Sequence, residues 1–195
     1  MPLRRVCVFC DPDPNAGPEH RELAASVGWL LADNGITLVY AGETRGAGGA
    51  LAEAVLGAGA GAIAVVTASE ALDSEIPSGL SERQVVATIE ERHAALASLS
   101  DGFLALPGAF GSLEELVAVW SWGQPADREK PCGLLNRADY YTKLLHSKND
   151  DLIERFVRET QRGMVIVDRD PAVLLRGLAD FRPPETRRSQ PPEDS

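Results

Sequence analysis

Residues 102–115 of the chain read GFLALPGAFGSLEE. The apolar run 102–106 is typical of a buried strand, and residues 113–122 are predicted to form a helix. A small glycine-bearing turn between a parallel strand and a helix leaves backbone N–H groups free at the helix N-terminus, where the helix dipole also attracts negative charge. The stretch therefore predicts an anion-binding loop over residues 107–112, with the carboxylate of Glu115 one turn into the following helix.

Strand-like and helix-like segments alternate on both sides of this stretch. Strand-like runs lie at residues 6–10, 36–40, 62–66, 84–87, 133–135 and 164–167. Helical patterns lie at residues 19–34, 50–57, 88–99 (from a capping box at Thr88), 140–146, 151–160 and 171–178. This alternation predicts an α/β domain: an open, doubly wound, Rossmann-like parallel sheet with helices on both faces. Ligands in such folds bind at the carboxyl ends of the strands.

Length and composition limit the classes of protein that fit. The chain has 195 residues, of which 44% are apolar and 25% charged, which suits one globular domain over residues 1–181. Residues 182–195 contain four prolines and no apolar pattern, so we expect a disordered tail. The net charge of -10 argues against a nucleic-acid partner. No apolar run reaches the roughly 18–20 residues of a membrane span, and no signal-peptide pattern is present, so we expect a cytoplasmic protein without a membrane partner.

The cysteines do not predict redox or metal chemistry. Cys7 and Cys10 form a C-x-x-C pattern inside a predicted strand, where residues three apart point to opposite faces. Cys132 is expected in the core. The sequence also lacks a cluster of His, Asp and Glu with metal-ligand spacing, so we expect no metal.

A second glycine loop, residues 41–49, follows the predicted strand 36–40 and reads AGETRGAGG. It matches neither the dinucleotide-binding fingerprint nor the P-loop. Both loops would lie at one edge of the sheet. Structural explanations remain open at this point: the glycines could serve tight helix packing, Ser112 and Glu115 could form a capping box, and Arg92 could lie on a solvated helix face.

These residues together resemble the Lonely Guy family of cytokinin riboside 5′-monophosphate phosphoribohydrolases. The family signature P-G-G-x-G-T-x-x-E resembles residues 107–115, and Arg92 resembles the arginine of the M-x-x-R-K helix start that precedes it. The family's early loop G-G-G-x-x-G-L-M-G corresponds to residues 41–49. The resemblance covers about residues 5–180 and continues in order through residues 79–82, 99–108, 122–124, 130–131, 133–136 and 140–141.

The resemblance implies hydrolysis of the N-glycosidic bond of an adenosine 5′-monophosphate, often N6-prenylated, to the free base and ribose 5-phosphate. Glu115 would stabilise the oxocarbenium-like transition state and activate water. Arg92 would neutralise phosphate or hold Glu115 in place. The implied phosphate-binding residues are Gly108, Ala109, Phe110, Gly111 and Ser112 of one loop and Gly42, Arg45 and Gly46 of the other.

The resemblance also implies a homodimer that needs no metal or organic cofactor. An older label for this family is lysine decarboxylase. The lysines of this chain, Lys130, Lys143 and Lys148, lie away from the glycine loops, which argues against a pyridoxal Schiff base.

The sequence departs from the family pattern in both loops. Ala109 replaces a glycine and Ser112 a threonine, and His93 stands where the family has lysine. In the early loop Ala41 and Glu43 replace glycines, Glu43 brings negative charge towards the expected phosphate, and Arg45 could offset it. Further differences are Ile89 for Met, Glu90 for His, and Asp11-Pro12 for Gly-Ser. Two alternatives therefore stay open: a non-catalytic nucleotide- or phosphate-binding protein, and a hydrolase for plain AMP or another nucleoside monophosphate.

Overall fold

Seven parallel strands form one sheet in a computed structural model, which describes residues 3–11, 13–73, 77–108, 113, 115–119, 130–145 and 165–182. The strand order is β4-β3-β2-β1-β5-β6-β7. The strands are β1 (Arg5–Phe9), β2 (Thr37–Tyr40), β3 (Ala62–Thr67), β4 (Glu82–Val86), β5 (Gly102–Ala105), β6 (Cys132–Leu135) and β7 (Val165–Asp168). All the pairings between neighbouring strands are parallel.

Helices cover both faces of the sheet. They are α1 (Pro18–Asp33), α2 (Gly46–Gly57), α3 (Ala68–Asp73), α4 (Ile89–Leu99), a helical segment at residues 115–119, and the helices Tyr140–Leu145 and Pro171–Asp180. One core cluster joins α1, α2 and the last helix to one face. The other joins α4, the 115–119 segment and Tyr141 to the opposite face. The doubly wound α/β fold predicted from the sequence is confirmed.

Most predicted elements begin and end within a residue or two of the observed ones, and two differ. Helix α2 begins at Gly46 rather than at residue 50, because residues 46–49 are all buried and tertiary packing outweighs the low helix propensity of glycine. Helix α3 has only six residues and no apolar period, so the pattern did not predict it. The predicted helix 151–160 and the tail beyond residue 182 lie outside the described residues.

The two halves of the sheet diverge at β1, which pairs with β2 on one side and with β5 on the other. A crevice opens at such a switch point, outside the carboxyl ends of the two strands. The chain segments after β1 and β5 touch there: a Cβ added at Gly108 would lie 2.9 Å from the backbone N and Cα of Asp11. Gly108 therefore has to be glycine for the two segments to approach this closely.

The cysteines lie as predicted. Cys7, Cys10 and Cys132 are buried free thiols. Cys10 belongs to the core cluster with α1 and α2, whereas Cys7 belongs to the cluster with α4, so the two point to opposite faces. Burial is the main cause that raises the pKa of both thiols. Among the helices that the structure describes, none is long and apolar enough to cross a membrane.

Helices α1 and α2 pack closely at Gly28, where we expect an added methyl group to be destabilising. A Cβ at Gly28 would lie 2.7 Å from the carbonyl oxygen of Leu51 and 2.8 Å from Cβ of Ala54. Gly28→Ala should lower the free energy of unfolding by about 1–3 kcal/mol, the usual cost of overpacking. Gly57→Ala is the matched control: among the described residues its Cβ would meet only Trp29, at an ordinary contact distance of 3.9 Å, and alanine favours helix. Urea unfolding of both variants checks this, and equal stabilities of the two would contradict it.

Candidate active site

A capping box fixes the start of α4 and thereby the position of Arg92. The hydroxyl of Thr88 accepts a hydrogen bond from the backbone N–H of Glu91 at 3.2 Å. The Glu91 carboxylate accepts in return from the N–H of Ala87 at 2.8 Å, one residue before the cap. The predicted capping box is thus present, with its return hydrogen bond shifted by one residue. Arg92 lies in the first turn of this anchored helix.

The guanidinium of Arg92 joins two carboxylates from other elements. Its Nη1 lies 2.9 Å from Oε1 of Glu70 in α3. Its Nη2 lies 3.2 Å from Oε1 of Glu115 in the 115–119 segment. The Arg92 side chain is 13% exposed, so the solvated-face explanation is wrong. The structure brings together Arg92 and Glu115, the two catalytic candidates of the sequence analysis.

Glu70 belongs to this cluster, and the sequence analysis missed it. Its Oε2 accepts hydrogen bonds from the backbone N–H and the hydroxyl of Thr67, each at 2.8 Å. Burial acts to raise the pKa of Glu70, but these hydrogen bonds and the charge of Arg92 outweigh it and leave the pKa below its usual 4.5. The spacing Thr67-x-x-Glu70 is itself a capping box, the signal that could have located α3 and its carboxylate.

His93 also faces Glu115, with its Nε2 3.9 Å from Oε1 of that carboxylate. Burial lowers the pKa of His93 below its usual 6.5, although the charge of Glu115 acts in the opposite direction. The imidazole is therefore largely uncharged at neutral pH. The family pattern has lysine at this position, so this chain has one positive charge fewer beside Glu115.

Buried polar atoms in this cluster lack protein partners. Within the part of the chain that the structure describes, Nε of Arg92 and Oε1 of Glu115 form no hydrogen bond. The hydroxyl of Tyr40, at the end of β2, is likewise buried without one. The 3.2 Å contact of Arg92 with Glu115 is an ion pair without hydrogen-bond geometry. Buried polar groups are nearly always hydrogen-bonded, and exceptions in native proteins concentrate where function requires them. The unpaired atoms therefore favour a site that receives a polar ligand.

The glycines of the early loop have structural reasons to be glycine. Gly42 and Gly46 have positive φ angles of 87° and 64°. A Cβ on Gly42 would lie 2.3 Å from Cγ1 of Val66, and one on Gly46 would lie 2.3 Å from the carbonyl oxygen of Asp13. The packing explanation accounts for both residues. Arg45 is the exposed N-cap of α2, and phosphate binding by these three residues stays a prediction.

The second loop is described only where it begins. Gly108 is buried, and its backbone forms a hydrogen bond with the hydroxyl of Tyr140. This hydrogen bond lowers the pKa of Tyr140, but burial outweighs it and leaves the pKa raised. Ala109, Phe110, Gly111 and Ser112 lie outside the described residues. Their predicted phosphate contacts, and the capping box of Ser112 with Glu115, therefore stay predictions.

An open cavity of about 1030 Å³ adjoins this loop on the α1 side of the sheet. Its lining includes His20 of α1, Pro107 at the start of the loop, and Arg137 and Tyr140. Nδ1 of His20 lies 3.3 Å from Oδ2 of Asp11 at the switch point. Arg92 and Glu115 are not among the described residues that line this cavity.

Comparison with known proteins identifies the family. The model of a family described as "Possible lysine decarboxylase" matches residues 49–178. The cytokinin riboside 5′-monophosphate phosphoribohydrolase LOG1 of Arabidopsis thaliana is 33% identical over 181 residues, which are 93% of this chain and 85% of that protein. The chain belongs to the Lonely Guy family. A bacterial member, the cytokinin riboside 5′-monophosphate phosphoribohydrolase of Rhodococcoides fascians, is 36% identical over 86% of this chain and 85% of its own length.

Solved structures with the same fold are more distant in sequence. The molybdenum cofactor carrier protein of Chlamydomonas reinhardtii superposes with a TM-score of 0.65 at 19% identity, covering 91% of this chain and 99% of its own. The molybdenum cofactor binding protein of Rippkaea orientalis gives 0.61 at 18% identity, covering 90% and 94%. These likenesses confirm the Rossmann-like fold of this Lonely Guy protein.

Lys130, one of the three lysines of the chain, has a structural contact in the described part of the molecule. Its Nζ donates a 2.6 Å hydrogen bond to the carbonyl oxygen of Ala97, near the end of α4. The ammonium thus helps to attach the segment before β6 to that helix.

The ion pair of Glu70 should make the stability of the protein depend on pH. The pKa of this carboxyl is lowered in the folded protein, so its contribution to stability is present above about pH 4.5 and is lost as the pH falls through the folded value. Glu70→Gln should therefore lower the melting temperature at pH 7, and the difference from wild type should narrow below pH 4.5. Glu53→Gln, at an exposed position of α2, is the control. A difference that is constant from pH 7 to pH 4 would contradict the role of Glu70 as an anion.

Proposed function

We propose that this protein hydrolyses the N-glycosidic bond of adenosine 5′-monophosphates, including N6-substituted ones, and releases the free base and ribose 5-phosphate. The observation that supports the proposal is the 3.2 Å contact between Arg92 and Glu115, the two residues that match the presumed catalytic pair of the Lonely Guy pattern. Relatives that are 33% and 36% identical are named for this reaction.

Glu115 has the chemistry that the transition state requires. Departure of the base leaves positive charge on the sugar, and a nearby carboxylate stabilises that charge and activates the attacking water. Oε1 of Glu115 is buried without a hydrogen-bond partner among the described residues, so it can accept one from water or from the sugar.

Arg92 would hold Glu115 in position. One of its terminal nitrogens contacts Glu70 and the other contacts Glu115, which fixes the plane of the guanidinium. Its Nε is also without a partner among the described residues and can donate to an oxyanion of the substrate. The 5′-phosphate would bind the loop at residues 108–112, where binding energy remote from the reacting bond positions the sugar.

Glu115→Gln should abolish most of the activity without unfolding the protein. The variant keeps the size of the side chain but can neither stabilise a cation by charge nor accept a proton from water. We expect kcat to fall by about 10²–10⁴-fold, the usual contribution of acid–base catalysis. Chromatography of the base released from AMP and from N6-isopentenyladenosine monophosphate measures this.

Glu53→Gln is again the matched control, because it makes the same change at an exposed position and should leave kcat unchanged. If the wild type and Glu115→Gln release the base at the same rate, Glu115 is not the catalytic carboxylate. Absence of release from either nucleotide, with nucleotide binding retained, would instead support a non-catalytic binding protein. The ratio of the two wild-type rates distinguishes a cytokinin-directed enzyme from one for plain AMP.

The homodimer and the cytoplasmic location stay predictions of the sequence analysis.

A further inference from the structure

The proposed reaction needs a second proton-transferring group. Adenine is a poor leaving group as an anion, so its departure is eased when a ring nitrogen is protonated as the bond to the sugar breaks. Enzymes that cleave glycosidic bonds commonly divide the work between two carboxyl groups, one charged and one protonated. Glu115, paired with Arg92, suits the charged role.

Glu43 lies in the early loop, directly after β2, and its side chain folds across the first turn of α2. A Cβ added at Gly48 would lie 2.6 Å from Cβ of Glu43 and 3.0 Å from its Oε2. Gly48 thus leaves the space that the Glu43 carboxyl occupies at the carboxyl edge of the sheet. The Lonely Guy pattern has glycine at position 43, so the carboxyl is a feature of this chain.

The surroundings of Glu43 favour a protonated carboxyl. The pKa of Glu43 is raised to about 7, mainly by burial and also by the charges of Glu115 and Glu70, while a hydrogen bond from its own backbone and the charge of Arg92 act to lower it. A carboxylic acid with a pKa near the working pH is the form in which general acids are most effective.

The thiols and the phenol that interact with Glu43 keep their protons at neutral pH. Burial, aided by the charge of Glu43, raises the pKa of the Tyr40 hydroxyl and of the Cys10 thiol well above their usual values. The same two causes, together with the charge of Glu115, raise the pKa of Cys7. His93, whose Nε2 lies 3.9 Å from Oε1 of Glu115, has a lowered pKa because it is partly buried.

We propose that Glu43 is the general acid of this enzyme and delivers a proton to the departing purine base. The inference rests on the proposed function. The Glu43 carboxylic acid transfers its proton to a ring nitrogen of the base while the bond from the sugar C1′ to the base breaks with its electron pair moving to the base. Water then adds to C1′ and gives one proton to Glu115, and proton exchange with solvent restores both carboxyl groups. The net change is nucleotide plus water to base plus ribose 5-phosphate.

Leaving-group dependence tests this role. Glu43→Gln keeps the shape of the side chain, and Glu43→Gly restores the residue of the family pattern. Both variants should lose about 10²–10³-fold in kcat for AMP, within the range of general acid catalysis. Both should lose less than about tenfold for p-nitrophenyl ribofuranoside 5-phosphate, because nitrophenolate leaves without a proton. Melting temperatures close to that of the wild type show that both variants fold.

The pH profile gives a second readout. The acid must carry its proton, so kcat/KM of the wild type for AMP should fall as the pH rises above about 7. This alkaline decrease should be absent in Glu43→Gln. Equal losses for both substrates, or unchanged activity with AMP, would overturn the role of Glu43 while leaving the hydrolase intact. A wild type that cleaves neither substrate would remove the proposed function and this inference together.

Discussion

The guanidinium of Arg92 is the positive charge around which the carboxylates of the site are arranged. It contacts Glu70 at 2.9 Å and Glu115 at 3.2 Å, and its charge also acts on Glu43. Without it, carboxylates from three different elements would repel one another in a partly buried space, where charges interact strongly. The ion pairs connect α3, α4 and the 115–119 segment, so the same contacts position these elements and the candidate catalytic side chains.

The sheet provides the place for this arrangement. In a parallel sheet every strand ends at the same edge, so residues that follow β2, β3 and β5 meet there although they are far apart in the chain. The close contact of Gly108 with Asp11 joins the two halves of the sheet where they diverge at β1. Glycines at positions 42, 46 and 48 allow the early loop to pack against β3, the segment after β1 and the Glu43 side chain. The segments that follow β1, β2 and β5 therefore contribute both to the packing of the sheet edge and to the candidate site.

Glu43 and His93 change the electrostatics of the site relative to the family pattern. Where that pattern has glycine and lysine, this chain has a carboxyl whose pKa is raised and an imidazole that is largely uncharged at neutral pH. The imidazole removes a positive charge near Glu115, and the Glu43 carboxyl adds a group whose pKa is raised to about 7. Perturbed pKa values of this kind concentrate at functional sites.

The sequence by itself determined the order and type of the main elements and, through a resemblance, the pair Arg92 and Glu115. It did so because apolar runs, caps and turns are local signals, as the capping box at Thr88 illustrates. Helix α3 and Glu70 were missed because six residues show no period and the preceding strand was predicted to end before Thr67. Only the tertiary structure decided that Arg92 pairs with a residue 22 positions away and that the half-buried Glu43 packs beside Gly48. Ion pairs and protonation depend on distance in space and on exclusion of water, and neither quantity exists before the chain has folded.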